Sequence, residues 1–149
     1  MSCVYGVRKA LLAGFVALGL TSTVFAQTST PATGLGQAWP NAADVSANPH
    51  WHVYVFYLNG VEYVQVNDLN GTVHAAIGTA SGTTIVLPVG IDAQNVTTTT
   101  SSTTSSSATT IYSDSTITVT ATPQSNGATK FTAQEACQDP YNCGGSGSS

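Results

Sequence analysis

Between Trp51 and Val89 apolar and polar residues alternate in four short runs, WHVYVFYL, VEYVQVND, TVHAAIGT and TTIVLPVG. Glycine bends separate them: Asn59-Gly60, Asn70-Gly71 and Ser81-Gly82, each eleven residues after the last. Period-two alternation is the mark of a strand, and Asn-Gly or Ser-Gly suits the left-handed backbone of a tight hairpin turn. The pattern predicts a four-stranded antiparallel meander over residues 51–89. Two-residue loops then fix the register, with Val53 opposite Val66, Phe56 opposite Tyr63 and Val64 opposite Ile77. His52 falls opposite Asn67, and Asn67 opposite His74. One face collects Val53, Val55, Val64, Val66, Val73, Ala75, Ile77 and Val86; the other collects Tyr54, Phe56, Leu58, Tyr63, Ile85, Leu87 and Val89.

Both faces are therefore apolar, whereas a sheet wet on one side alternates apolar with polar residues. Something must cover the second face: later strands, the stretch around Trp39, a second copy or a ligand. Downstream, thirteen of the fourteen positions from Thr97 to Thr110 are Ser or Thr. Such a tract buries little, so it reads as a flexible linker, although its threonines would tolerate an extended form beside an edge strand. TTIYSDSTITVTATP alternates again and supplies one or two further strands; KFTAQEACQ reads as a short helical turn. The fold class is all-β, a meander with one or two additional C-terminal strands, and a small sandwich if those strands pack back on it. Residues 49–93 form the meander domain, 94–110 the low-complexity segment, 111–143 a β-rich C-terminal segment and 144–149 a disordered tail. The packed part builds one small core, marginal without further cover.

The N-terminus changes the setting. Arg8-Lys9, the apolar run ALLAGFVALGL and Val24-Phe25-Ala26 have the layout of a signal peptide over residues 1–26. The Thr-, Ala-, Gly- and Pro-containing stretch 27–48 follows as a flexible leader. The expected destination is the periplasm, the cell surface or the medium. Cleavage leaves Lys130 as the one cation against seven carboxylates, a net charge of −6. A chain so poor in cations neither neutralises a run of phosphates nor adheres to an anionic bilayer, so neither nucleic acid nor membrane is an expected partner. In an exported chain Cys137 and Cys143, flanking Asp139-Pro140, read as a disulfide. The loop is short, so the bond is a local clip.

The chemistry on offer is thin. His50 and His52 share a strand face, and with His74 across the sheet they make a donor set suited to zinc or copper. The plainer reading is a polar row of His and Asn closing the end of the sheet. No nucleophile elbow, cofactor fingerprint or calcium loop is present. Glu62 and Asp68, on one strand face, lie roughly 20 Å apart, beyond the reach of a carboxylate pair. No catalytic residue is assigned, and the chain reads as a non-enzyme. Asn70-Gly71-Thr72 and Asn95-Val96-Thr97 match the N-glycosylation pattern, and the Ser/Thr tract reads as a hydrated spacer. Tyr54, Phe56 and Tyr63, gathered on the uncovered face, form a candidate contact surface for a glycan or protein partner.

The composite reading is a small exported β-protein with a structural or binding role in the periplasm or at the cell surface. A periplasmic zinc- or copper-binding protein is one alternative. A self-assembling surface or biofilm component is the other.

Overall fold

A computed structural model describes residues 30–101 and 105–136. The signal segment, Cys137, Cys143 and the C-terminal tail lie outside the described residues. Eight strands form in chain order: β1 (His52–Leu58), β2 (Val61–Asn67), β3 (Val73–Ala80), β4 (Thr83–Val86), β5 (Val96–Thr99), β6 (Thr109–Ser113), β7 (Ile117–Pro123) and β8 (Thr129–Glu135). A single 3-10 turn, Ala93–Asn95, precedes β5. The protein is all-β, as the alternation predicts. The first sheet is the meander β1-β2-β3-β4, and the second has the order β5-β8-β7-β6. Only β5 and β8 run parallel.

The C-terminal half holds more strands than the one or two expected. KFTAQE, read as a helical turn, is most of β8, because Phe131 and Ala133 alternate into the core while Thr132 and Gln134 point away. VTTT at the start of the Ser/Thr tract is β5, extended along the free edge of β8.

The two sheets pack face to face as a sandwich. Val53, Val64, Val66, Ala75 and Ile77 of the first meet Ile111, Ile117, Val119, Ala121, Phe131 and Ala133 of the second in one buried cluster. Burying a valine- or phenylalanine-sized side chain contributes roughly 1.5–3 kcal/mol, and this shared layer is what holds the sheets together.

The meander register is as read from the sequence at Val53–Val66, Phe56–Tyr63 and Val64–Ile77. It departs at one point: Asn67 faces Val73, and a bulge follows Val66. The first and third bends have both central residues in the left-handed region, at Asn59-Gly60 and Ser81-Gly82. The second is a five-residue loop, Asp68–Thr72. Asp68 Oδ1 accepts hydrogen bonds from the backbone N–H groups of Asn70 (2.9 Å) and Thr72 (2.8 Å), which widens the turn and adds the extra residue to β3.

The leader from Thr30 to Asn48 forms no strand, yet it is tied to both sheets and does not hang free. Val45 N–H donates to Val53 C=O on the β1 edge, and two residues later Ala47 N–H donates to Ile111 C=O on the β6 edge, both at 2.8 Å. Asp44 anchors this crossing by accepting from Val53 N–H (3.0 Å) and the His52 ring (2.6 Å). Upstream, residues 34–39 lie over the outer face of the first sheet. Gln65 there is fully buried; its Oε1 accepts from Gly36 N–H (2.6 Å), and its Nε2 donates to Gln37 C=O and Asn67 Oδ1 (2.8 Å each). Asn67 Nδ2 donates to Ala38 C=O at 2.7 Å. The Trp39 ring packs beside Gly71, where a Cβ would come within 2.7 Å of it.

Candidate functional site

The structure separates the three histidines that the sequence grouped. His50 is exposed and turned toward Asn48, whose Oδ1 lies 3.2 Å from its Nδ1. His52 lies on the leader side of the first sheet, in ring contact with Trp39 and Tyr54. The bulge after Val66 swings His74 the other way, against Trp51 and the core residue Phe131. Its Nδ1 lies 2.7 Å from Asp92 and its Nε2 3.5 Å from Asp68. These carboxylates meet opposite ring nitrogens, so they do not converge on one point. Among the described residues no three His, Cys, Asp or Glu side chains come together as a metal site.

The aromatic trio is not a free surface either. Tyr54 and Phe56 are buried beneath the leader, and Tyr63 is half-buried. The uncharged cover that the second face required is the chain's own residues 34–39.

A carboxyl cluster sits at the other end of the sandwich. Glu62 on β2 is buried and faces Asp114 from the β6–β7 turn. The Tyr112 hydroxyl lies 3.3 Å from Glu62 Oε1 and 2.9 Å from Asp114 Oδ2. The Thr116 hydroxyl bridges the same pair at 2.8 and 2.9 Å. Burial, then the hydrogen bond to Asp114, pushes the Glu62 carboxyl above the usual glutamate range. Asp114 goes the other way: burial pushes it up, but the N–H groups of Ile117 and Thr116 and the Glu62 carboxyl hold it down to about 2. The two carboxyls are therefore pushed in opposite directions, Glu62 toward holding its proton and Asp114 toward losing it. The cluster is a cross-sheet latch, with its polar atoms spent on each other. The sequence offered Glu62 no carboxylate partner, Asp68 on the same strand being out of reach; its partner comes from the opposite sheet, a pairing that only the sandwich creates.

The outer face of the second sheet is different in kind. Val119, Ala121, Phe131 and Ala133 point inward, so their strand neighbours point out. Strand register lines these up in ranks. Thr97 lies beside Thr132, Thr132 beside Thr120, and Thr120 beside Thr110, so one rank of threonines crosses all four strands. The next rank is Thr99, Gln134, Thr118 and Ser113, and a partial third pairs Lys130 with Thr122. Thr97 and Thr132 hydroxyls approach to 3.4 Å, and Ser113 and Thr118 to 2.8 Å, which confirms that these pairs share a face. Neighbours within a rank are about 4.7–4.9 Å apart and successive ranks roughly 6.4–6.8 Å. Lys130 is the one charged residue of the grid, and no aromatic residue is in it. Among the described residues no strand packs on this face, but it is not uniformly open: Thr120 is buried, Thr118, Thr132 and Gln134 are half-buried, and Thr97, Thr110 and Ser113 at the edges are exposed. Ser105, Ser107 and Ala108 of the β5–β6 connection line a shallow depression with Thr120, Thr122, Lys130 and Thr132.

Sequence reading missed this surface because the tract looked like a spacer. The signal was the Thr118, Thr120, Thr122 alternation in TITVTATP, whose outward half is all threonine. Comparisons with family models, with curated proteins and with solved structures find no match for this chain.

Proposed function

We propose that this is a small exported binding module, not an enzyme, and that it contacts an extended, uncharged surface through the threonine grid of the second sheet. The observation that carries the reading is the contrast between that grid and the rest of the molecule. The leader covers the β1–β2 half of the first sheet's outer face, and the histidines and buried carboxyls engage neighbouring protein groups. The open part of the β1 edge, from Val55 to Leu58, offers a short stretch of backbone beside the exposed Tyr57 and Leu58. The grid, by contrast, repeats in two directions across four strands. Of the eight positions in its two full ranks, Thr97, Thr110 and Ser113 are exposed, Thr99, Thr118, Thr132 and Gln134 are half-buried, and Thr120 alone is buried. Threonine is stiff at χ1, so a rank of them loses little side-chain freedom on contact and presents hydroxyls and methyls in fixed alternation. The lack of cations on the mature chain fits an uncharged target better than an anionic one.

The test is adsorption of the purified exported form to insoluble hydrated solids: peptidoglycan sacculi, cellulose, chitin and ice. Thr132→Tyr places a bulky ring in the middle of the first rank in a strand position that accepts aromatics. Retention on at least one solid is expected to fall roughly tenfold, about the loss of a central contact. Leu69→Tyr, in the exposed β2–β3 loop of the first sheet, should leave retention unchanged. Equal retention of both variants on every solid counts against the reading.

A further inference from the structure

We infer that the β1 edge from Val55 to Leu58 is a docking slot for one extended, uncharged segment of a partner protein, which adds to the first sheet as a fifth strand. The site is separate from the threonine face and does not depend on it. Backbone chemistry points there first. Alternation along β1 turns every second residue's N–H and C=O toward β2 and the others toward the open edge. Val53 shows which set is which. Its C=O accepts from Val45 N–H (2.8 Å) and its N–H donates to Asp44 Oδ1 (3.0 Å), both on the leader. Val55 and Tyr57 share its phase, so their N–H and C=O groups also point away from β2. Among the described residues none of these four groups has a hydrogen-bond partner.

The leader explains why they are free. Asp44 bridges antiparallel to Tyr54, so one more residue of pairing would set Ala43 against Val55. Instead Asn41 is tied to Thr33 by two backbone hydrogen bonds, 2.9 and 3.1 Å, and residues 41–43 are drawn off the edge. A cavity of about 420 Å³ opens, lined by Val55 and Tyr57 of the strand and by residues 30–32 and 41–43 of the leader. Open edges are ordinarily blunted by lysine, proline or a bulge. Val55-Phe56-Tyr57-Leu58 has none of these, and its register with β2 is unbroken. The leader wall protects it differently, by admitting a single strand while standing in the way of a whole sheet.

The chemistry of the slot names its occupant. Two N–H and two C=O groups, repeating every second residue over roughly 6.4–6.8 Å, are the complement of another extended backbone; a sugar or small molecule matches one such pair and not a ladder. None of the nine lining residues carries a charge, so a charged side chain entering here would be desolvated without a partner. Val45 (43% exposed), Val55 and Tyr57 (72% exposed) offer apolar surface for small or β-branched residues at alternate positions of the segment to cover. Four residues, about 13 Å of extended chain, span the free edge. The β1 strand of a second copy would carry its own leader wall into the slot, so the segment comes from a chain without one. The contact is small and therefore transient.

The probe is a synthetic peptide, acetyl-Gly-Thr-Val-Thr-Val-Gly-amide, titrated into the isotope-labelled exported form and followed by amide NMR. The Val55 and Tyr57 amides should shift and become protected from exchange, with half-saturation between roughly 0.1 and 1 mM. The same peptide methylated at its four inner nitrogens, and one with Glu in place of both Val residues, should each bind at least roughly tenfold more weakly. Tyr57→Pro removes an outward N–H and no ladder bond, so the strand survives and binding is lost. Tyr57→Thr keeps that N–H and should bind within about fivefold of the parent, the range of one cross-strand side-chain pair. Leu69→Tyr should bind as the parent does. Circular dichroism shows whether Tyr57→Pro is folded, and the methylated peptide makes the same test on the unaltered protein. No shift at Val55 and Tyr57 at millimolar peptide overturns the inference. So does binding that survives methylation or Tyr57→Pro, since the contact is then not backbone pairing at this edge. If those amides are already protected in the free protein, or if the protein self-associates in a way that Tyr57→Pro abolishes, the slot belongs to the chain's own residues or to a second copy, and the partner assignment falls.

Discussion

The two sheets of this sandwich solve the problem of the outer face in opposite ways. The first carries Tyr54, Phe56, Leu87 and Val89 outward, an apolar face that water would not tolerate bare, and residues 34–39 are folded over its β1–β2 half by a pair of buried amides. The second carries ranks of hydroxyls outward, polar enough that no strand covers them among the described residues, although Thr120 at the centre is buried beside the Ser105–Ala108 turn. The same strand alternation thus yields a covered face and an open one, and the choice of residue at every second position decides which. A covered face contributes stability; an open, regular one is free to meet something else.

The comparison is broken most severely at Gln65. Its side chain is the main rivet between leader and sheet, and Gln65→Ala leaves Gly36 N–H without its acceptor and Asn67 Oδ1 without its donor, and removes the shorter of two bonds to the Gln37 carbonyl. The expected cost is about 1–3 kcal/mol in urea unfolding. The signature that distinguishes loss of the cover from general weakening is local: faster proteolysis between Thr33 and Asn41, and increased binding of a hydrophobic dye as Tyr54 and Phe56 become accessible. Unchanged proteolysis in that stretch would mean the leader is held by something other than Gln65.

What joins the two sheets at their far end is the Glu62–Asp114 latch, and its pH dependence has two limbs. Glu62 has its pKa raised by burial and by Asp114, so the folded protein keeps a proton that the unfolded chain has lost. That stabilisation is complete below the ordinary glutamate value and is lost as pH rises through the raised one. Asp114 is depressed to about 2, so its contribution is present above the ordinary aspartate value of 3.8 and is lost as pH falls toward 2. Tyr112 and Thr116 face the same pair, and Tyr57 and Glu135 line the adjoining cleft. Stability is expected to peak on the mildly acidic side and decline toward neutral and alkaline pH. Glu62→Gln replaces the titrating carboxyl with a permanent amide, so the decline on the alkaline side should flatten while the acid limb stays. A parallel fall in both proteins would place the alkaline sensitivity elsewhere.

Much of the first sheet was legible because its information is local. The turns at Asn59-Gly60 and Ser81-Gly82 need only their own two residues, and the register up to Val66 follows from them. The error at His74 arose where a side chain two residues before Asn70-Gly71 took part: Asp68 captured two backbone N–H groups, and one inserted residue moved the imidazole to the other face. The second sheet was harder. β5 is extended because β8 offers an edge, and β8 is a strand because Phe131 and Ala133 meet a core built by residues far back in the chain. Composition alone made the Ser/Thr tract a linker, and only the tertiary partner makes its start a strand. The threonine grid inherits that difficulty, since its ranks exist only after strands whose paired residues lie up to 35 positions apart are set side by side.

The smallest effect expected is the most informative about the open face. Thr132→Val exchanges a hydroxyl for a methyl at the centre of the first rank with almost no change in shape. If the hydroxyl is wet in the folded state, as on an uncovered face, its removal costs nothing that water was not already supplying, and valine's own preference for strands is at least as good. The unfolding free energy should then move by no more than about 0.5 kcal/mol. A loss of about 1 kcal/mol or more would instead be the cost of stranding a buried partner, because that is what a dry, hydrogen-bonded hydroxyl leaves behind when it is deleted. Urea midpoints for Thr132→Val and the parent at one pH separate the two cases. They thereby decide whether the second sheet differs from the first in having no cover, or only in having a polar one.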